Sequence, residues 1–151
     1  MTLILARPTP KSWVVGLAVA LAGELVRIWA AGHLEKSREV TRSGPYRFTR
    51  HPLYAGSAVI ALGIVLASRS WVVAVLAAVY ILATTAAAVR TEEAFLRRTF
   101  GNAYDEYRAS RGETPPRPFS FARVLRNREY RAVAGLSAGF ALLALKMYVS
   151  I

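Results

Sequence analysis

Two clusters in this chain hold the side chains best suited to chemistry. The first lies in residues 44–54, where Tyr46, Arg50, His51, Pro52 and Tyr54 follow a Gly44-Pro45 turn. The second is Arg90-Thr91-Glu92-Glu93, about forty residues further on. Guanidinium groups pair with phosphate or carboxylate, and histidine titrates near neutral pH. Pro45 disfavours helix at Gly44, so the chain turns there. Pro52 suits the first turn of a helix, which makes His51 the last residue before it. Two readings stand for the first cluster. It is a basic interfacial loop, with arginines on lipid phosphates and tyrosines among the headgroups. Alternatively, it is the mouth of a pocket, with the His51 ring at its rim. A further pair, Glu24 and Arg27, sits three residues apart inside an apolar run and shares one helix face. Ionisable groups inside a membrane span usually face the protein interior. The pair is either a structural ion pair or places Arg27 at the edge of a substrate cavity.

Composition removes several other chemistries. The chain has no cysteine, which excludes disulfides, thiolate metal sites and a cysteine nucleophile. Its two histidines, His33 and His51, are far apart and no metal site is expected. No P-loop and no GxGxxG after a strand is present. The net charge of +11 would fit either nucleic acid or an anionic membrane surface. With 54% hydrophobic residues gathered in long segments, the membrane is the partner and nucleic acid is not.

The elements that position the clusters follow from those segments. Residues 13–31 form a first apolar run of about the ~20 residues a crossing needs. A cleaved leader is the rival reading, with Arg7 and Lys11 as its charged region and Ala20-Leu21-Ala22 as a cleavage site. The run continues through Trp29-Ala30-Ala31, which favours the crossing. Residues 53–67 and 71–89 are apolar and joined by Ser68-Arg69-Ser70, the pattern of a helical hairpin. Gly56 and Gly63, with Ala55 and Ser57, offer small surfaces for close packing. From Arg90 the chain turns polar. Phe95, Leu96, Phe100, Ala103, Tyr104 and Tyr107 recur at helical spacing, predicting an amphipathic helix on the membrane surface. Pro115, Pro116 and Pro118 end it, and residues 132–149 form the last apolar run.

Charge orients these segments. Residues 32–50 and 90–131 carry five and ten lysines and arginines, and the opposite ends carry four. The positive-inside rule puts both rich regions in the cytoplasm and, with four crossings, both termini outside. The predicted fold is all-α: a single domain over residues 1–151, a polytopic membrane bundle of about four transmembrane helices, with a central hairpin and a cytosolic amphipathic helix. The expected location is the cytoplasmic membrane of a bacterium or archaeon, with the site facing the cytosol. The oligomeric state is not legible.

Taken together, Gly44-Pro45-Tyr46, Arg50-His51-Pro52-Leu53-Tyr54, Arg90-Thr91-Glu92-Glu93 and Phe100-Gly101-x-x-Tyr104-x-x-Tyr107 resemble the isoprenylcysteine carboxyl methyltransferase family and related integral membrane phospholipid methyltransferases. The resemblance runs from about Glu24 to Tyr107 and includes Arg27-Ile28-Trp29-Ala30. It implies S-adenosylmethionine as methyl donor and a lipid or lipophilic small molecule as acceptor. It also implies that Tyr46, Arg50, His51, Pro52 and Tyr54 form the cofactor site, closed from the other side by Glu92 or Glu93. Arg90 matches a family arginine before the glutamates. The chain departs from the larger family members in its shorter N-terminus and in the apolar segment after the motif.

Under that resemblance the acceptor sets the remaining roles. A carboxylate acceptor, which the family name favours, is already ionised and needs an orienting cation, Arg90 or Arg27. An amine acceptor must first lose a proton, and Glu92, Glu93 or His51 would serve as base. Arg90, Glu92 and Glu93 are therefore the expected catalytic residues, with Arg27 and Arg90 on the acceptor. A lipid- or partner-binding scaffold without turnover is the non-enzymatic alternative.

Overall fold

The computed structural model describes residues 2–36, 38–109 and 117–149. All regular structure among them is helical: α1 (Thr2–Leu5), α2 (Pro10–His33), a 3-10 turn (Gly44–Arg47), α3 (Pro52–Ser68), α4 (Trp71–Phe100), α5 (Asn102–Arg108), α6 (Phe121–Arg126) and α7 (Tyr130–Val149). Three of these, α2, α4 and α7, are long and apolar enough to cross a membrane, and α3 is a shorter apolar helix. Pro115 and Pro116 lie outside the described residues.

The centre of the fold is the antiparallel pair α2–α3. Pro10 opens α2 at a position whose N–H would be unsatisfied in any case. Thr9 and Ser12 satisfy each other's backbone N–H groups in a capping box. Ser12 Oγ also donates to the Ala67 carbonyl at 3.1 Å, tying the start of α2 to the end of α3. Along the seam Gly16 faces Gly63 and Gly23 faces Gly56. A Cβ on Gly23 would lie 2.7 Å from the Gly56 carbonyl oxygen, so the two backbones touch where a side chain would hold them apart. Lipid offers no hydrophobic drive for helices to associate, so close backbone approach supplies the packing. Gly56 and Gly63 thus serve α2, while the hairpin partner α4 packs beside α3 with most of its apolar surface exposed.

The hairpin itself forms as the sequence predicts. Arg69 takes a left-handed conformation (φ 49°) after α3, and Ser70 Oγ accepts from Val73 N to cap α4. The amphipathic stretch differs from expectation. No glycine or proline interrupts residues 71–100, so α4 runs straight through Arg90 to Phe100. At about 1.5 Å per residue it is ~45 Å long, more than the ~30 Å hydrocarbon layer. Its charged third therefore continues the same helix beyond the apolar part. Gly101 (φ 48°) breaks the chain, and α5 carries the rest of the pattern, with Tyr104 buried.

Helix α7 packs Leu136, Phe140 and Leu143 against Ala6, Ala20 and Ala67. Trp13 Nε1 donates to the Phe140 carbonyl at 2.9 Å. At one end of the bundle, Arg7 N donates to the Ser68 carbonyl and Lys146 Nζ to the Ile4 carbonyl. At the other end, Arg42 reaches the Ala103 carbonyl and Arg126 pairs with Glu35. Both arginine-rich regions therefore share one end, which the site requires.

Candidate functional site

Local sequence sets the first wall. Gly44 adopts φ 58° and passes so close to His33 that a Cβ would lie 2.6 Å from the imidazole. That turn directs Pro45 and Tyr46 inward, and both are buried. The Tyr46 carbonyl accepts from the Tyr107 hydroxyl at 2.8 Å, which fastens α5 to the turn. Burial pushes the Tyr46 phenol well above its ordinary range and the Tyr107 phenol up to about 12, so both stay protonated at neutral pH. His51 precedes Pro52, the first residue of α3, and its backbone N–H donates to Thr49 Oγ at 3.3 Å.

The second wall comes from α4. Glu92 and Glu93 are adjacent and so point in directions about 100° apart on the helix. Glu92 Oε2 accepts from the Tyr54 hydroxyl at 2.9 Å. Glu93 Oε1 lies 3.3 Å from His51 Nε2 and 3.6 Å from Arg50 Nη1. The His51 ring packs on Tyr54 with centroids 5.8 Å apart, and its Nδ1 is buried without a hydrogen-bond partner among the described residues. Below them Tyr104 packs on Tyr107; burial, and then the Glu93 charge, raise the Tyr104 phenol.

Between the walls is a cavity of about 800 Å³. Tyr46, Arg50, Tyr54, Glu92 and Arg27 line it, together with Glu129. His51, Pro52 and Glu93 are not among the lining residues; His51 packs on Tyr54, and Pro52 opens α3. Arg90 is exposed on α4 and is not part of the lining. Arg27 is drawn into a network: its Nε is 2.6 Å from Glu129 Oε1 and 3.9 Å from Glu24 Oε2, and its Nη1 donates to Ser57 Oγ and to the Leu53 carbonyl.

Sequence reasoning did not single out Glu129, or Asn127, which also lines the cavity and donates to the carbonyls of Ala31 and Leu34 at the end of α2. Glu129 is the one acidic residue in the basic stretch before the last apolar segment. That isolation was its only signal.

The volume falls within the roughly 300–1,000 Å³ usual for small-molecule sites. Two tyrosine rings and a carboxylate suit an organic cation. Among the described residues no group of three or more histidines and carboxylates could hold a metal ion.

Comparison with known proteins adds an independent line. Residues 12–103 match the family model for phospholipid methyltransferases. The chain is 31% identical over 96 residues to the nickel-cobalt-cadmium resistance protein NccN of Alcaligenes xylosoxydans xylosoxydans, covering 62% of this chain and 43% of that protein. It is 30% identical over 91 residues to the protein-S-isoprenylcysteine O-methyltransferase of Schizosaccharomyces pombe, covering 60% of this chain and 39% of the enzyme. The chain thus spans about two fifths of the length of these curated relatives. No solved structure matches it.

Proposed function

The chain belongs to the phospholipid methyltransferase family of membrane methyltransferases, and from that premise we propose that it transfers a methyl group from S-adenosylmethionine to a lipophilic acceptor. The observation that carries the reading is the Tyr54–Glu92 hydrogen bond, 2.9 Å long, which joins the two motif halves at the wall of one cavity. The residues present fit the cofactor: Tyr46 and Tyr54 offer ring faces to a sulfonium, and Glu92 offers a carboxylate to ribose hydroxyls or an ammonium group. When bound, S-adenosylmethionine supplies an activated methyl group on a cationic sulfur.

The chain's own residues then have distinct tasks. Tyr46, Tyr54, Arg50 and Glu92 bind and orient at the lining. His51, Pro52 and Glu93, outside the lining, support them. Transfer to a held acceptor depends chiefly on positioning and on excluding water, and burial of Tyr46 against Tyr107 closes one side. Residues 1–151 act as one domain. Helix α3, though short, runs beside α2 from Ala67 at Ser12 to Leu53 at Arg27, and we count it as a fourth crossing. The arginine-rich end then faces the cytosol, where the cofactor enters.

A specific observation favours a second reading of the acceptor. A carboxylate needs an orienting cation, yet Arg90 is off the cavity, Arg27 is already paired, and Arg50, which lines it, lies 3.6 Å from Glu93. An amine needs a base, and Glu92 lines the cavity. N-methylation of a phospholipid headgroup amine follows, with Glu92 taking the proton. The testing experiment is calorimetric binding of S-adenosylmethionine to the protein in mild detergent, followed by labelled methyl transfer into phosphatidylethanolamine and into a prenylcysteine. Micromolar binding weakened by Glu92→Gln supports the site. No binding by folded protein removes the methyltransferase reading.

A further inference from the structure

The cavity carries an ion pair of which the family match reaches only one partner, Arg27. Glu129 lies beyond residues 12–103, in the link between α6 and α7. Arg128, just before it, adopts a left-handed backbone (φ 59°), a conformation that L residues with side chains rarely take. This turn sets Glu129 inward, where its side chain is only 5% exposed. Its Oε1 lies 2.6 Å from Arg27 Nε, the shorter of the two carboxylate contacts that Arg27 makes among the described residues. Glu24 lies 3.9 Å from the same Arg27 Nε and is itself buried. Two carboxylates thus share one guanidinium nitrogen, and the remaining contacts of Arg27 include Ser57 Oγ and the Leu53 carbonyl.

We propose that Glu129 is a specificity-determining residue that masks the Arg27 charge, so that the cavity discriminates against anionic acceptor groups. An unpaired guanidinium inside an apolar span would hold any carboxylate, phosphate or sulfonate that entered, because little water is present to screen it. Paired with Glu129, Arg27 offers no unpaired positive charge to an incoming anion. An anion would have to displace Glu129 from a short, nearly dry contact and leave that carboxylate unpaired. Neutral and cationic groups face no such cost. The proposal rests on the reading above only in taking this cavity as the acceptor's site.

The test uses photolabelling, without methyl donor, in bilayers of phosphatidylcholine. Three long-chain probes carry the same diazirine and end in an alcohol, a sulfonate or a quaternary ammonium. Label on cavity peptides is read by mass spectrometry. The native protein is expected to favour the alcohol over the sulfonate. Glu129→Gln is expected to raise the sulfonate-to-alcohol ratio by at least about tenfold, the low end of what one desolvated charge contact is worth. Glu129→Asp is expected to keep the native ratio. Arg27→Met, which leaves the carboxylates uncompensated, is expected to raise the ammonium-to-alcohol ratio instead. An unchanged sulfonate-to-alcohol ratio in Glu129→Gln overturns the proposal, whatever Arg27→Met shows. So does loss of all cavity labelling, or failure of both variants to fold, since the pair would then hold the bundle together and set no selectivity. Because no methyl transfer is read, failure here leaves the enzymatic reading intact, and absence of transfer leaves this result intact.

Discussion

The Tyr54 hydroxyl donates to Glu92 at 2.9 Å across thirty-eight residues of chain, and both side chains line the same cavity. Adjacent Glu93, which is not a lining residue, instead pairs with His51 and with Arg50. The two glutamates are therefore expected to differ in effect. Glu92→Gln and Tyr54→Phe should each weaken S-adenosylmethionine binding by about tenfold, the scale of a lost hydrogen bond to a charged group. Glu93→Ala and His51→Ala should act less, through the placement of α3. Calorimetry on the four variants checks this order, and a larger loss at Glu93 would reverse the assignment.

Arg27 and Arg90 are separable in the same way. Arg27→Ala breaks a buried pair and is expected to cost about 3–5 kcal/mol of stability, read as a lowered melting temperature in detergent. Arg90 is exposed, so Arg90→Ala should change stability by no more than about 0.5 kcal/mol and leave cofactor binding unaltered. A turnover loss at Arg90 with binding intact would return it to the acceptor site.

The α2–α3 seam makes a steric prediction. Gly23→Ala places a Cβ 2.7 Å from the Gly56 carbonyl oxygen, so the helices must part. Overpacking of this kind costs about 1–3 kcal/mol. Gly135→Ala on α7 meets no atom of the described residues within 4 Å and is expected to be neutral or slightly stabilising. Equal melting temperatures for the two variants would show that the seam is not tight.

Tyr107 gives a pH dependence. Its phenol is raised from 10.0 to about 12, burial being the chief cause. A raised acid is protonated in the folded state when it would ionise in the unfolded chain. Its contribution to stability is thus complete below about pH 10 and lost as pH rises through about 12. Tyr107→Phe should be less stable than the native protein at neutral pH, by about 1 kcal/mol for the bond to Tyr46. That gap should narrow across the alkaline window. A constant gap would mean that the phenol does not titrate there.

Topology can be read with reporters. One in the Ser68–Ser70 turn and one at the C-terminus should lie outside, and one after Gly101 should lie in the cytosol. A cytosolic signal from the turn would show that α3 does not cross.

Periodicity, composition and breaking residues determined much of this protein. The apolar runs, the Ser68-Arg69-Ser70 hairpin and the two basic regions at one end are local or additive properties, and a chain in lipid has few other ways to satisfy its backbone. The motif residues Tyr46, Arg50, His51, Pro52, Tyr54, Glu92 and Glu93 were likewise legible as two clusters. Tertiary structure decided how they divide. Which glutamate meets Tyr54 depends on the rotation of α4 against α3, to which neighbouring residues in sequence give no clue. The continuation of α4 past Arg90 was obscured because the change from apolar to charged reads as a boundary, although nothing there breaks a helix. Glu129 was invisible for a different reason. Its partner is 102 residues away on α2, and only the packing of α6 and α7 against α2 brings the two charges to one point, where exclusion of water makes their pairing matter.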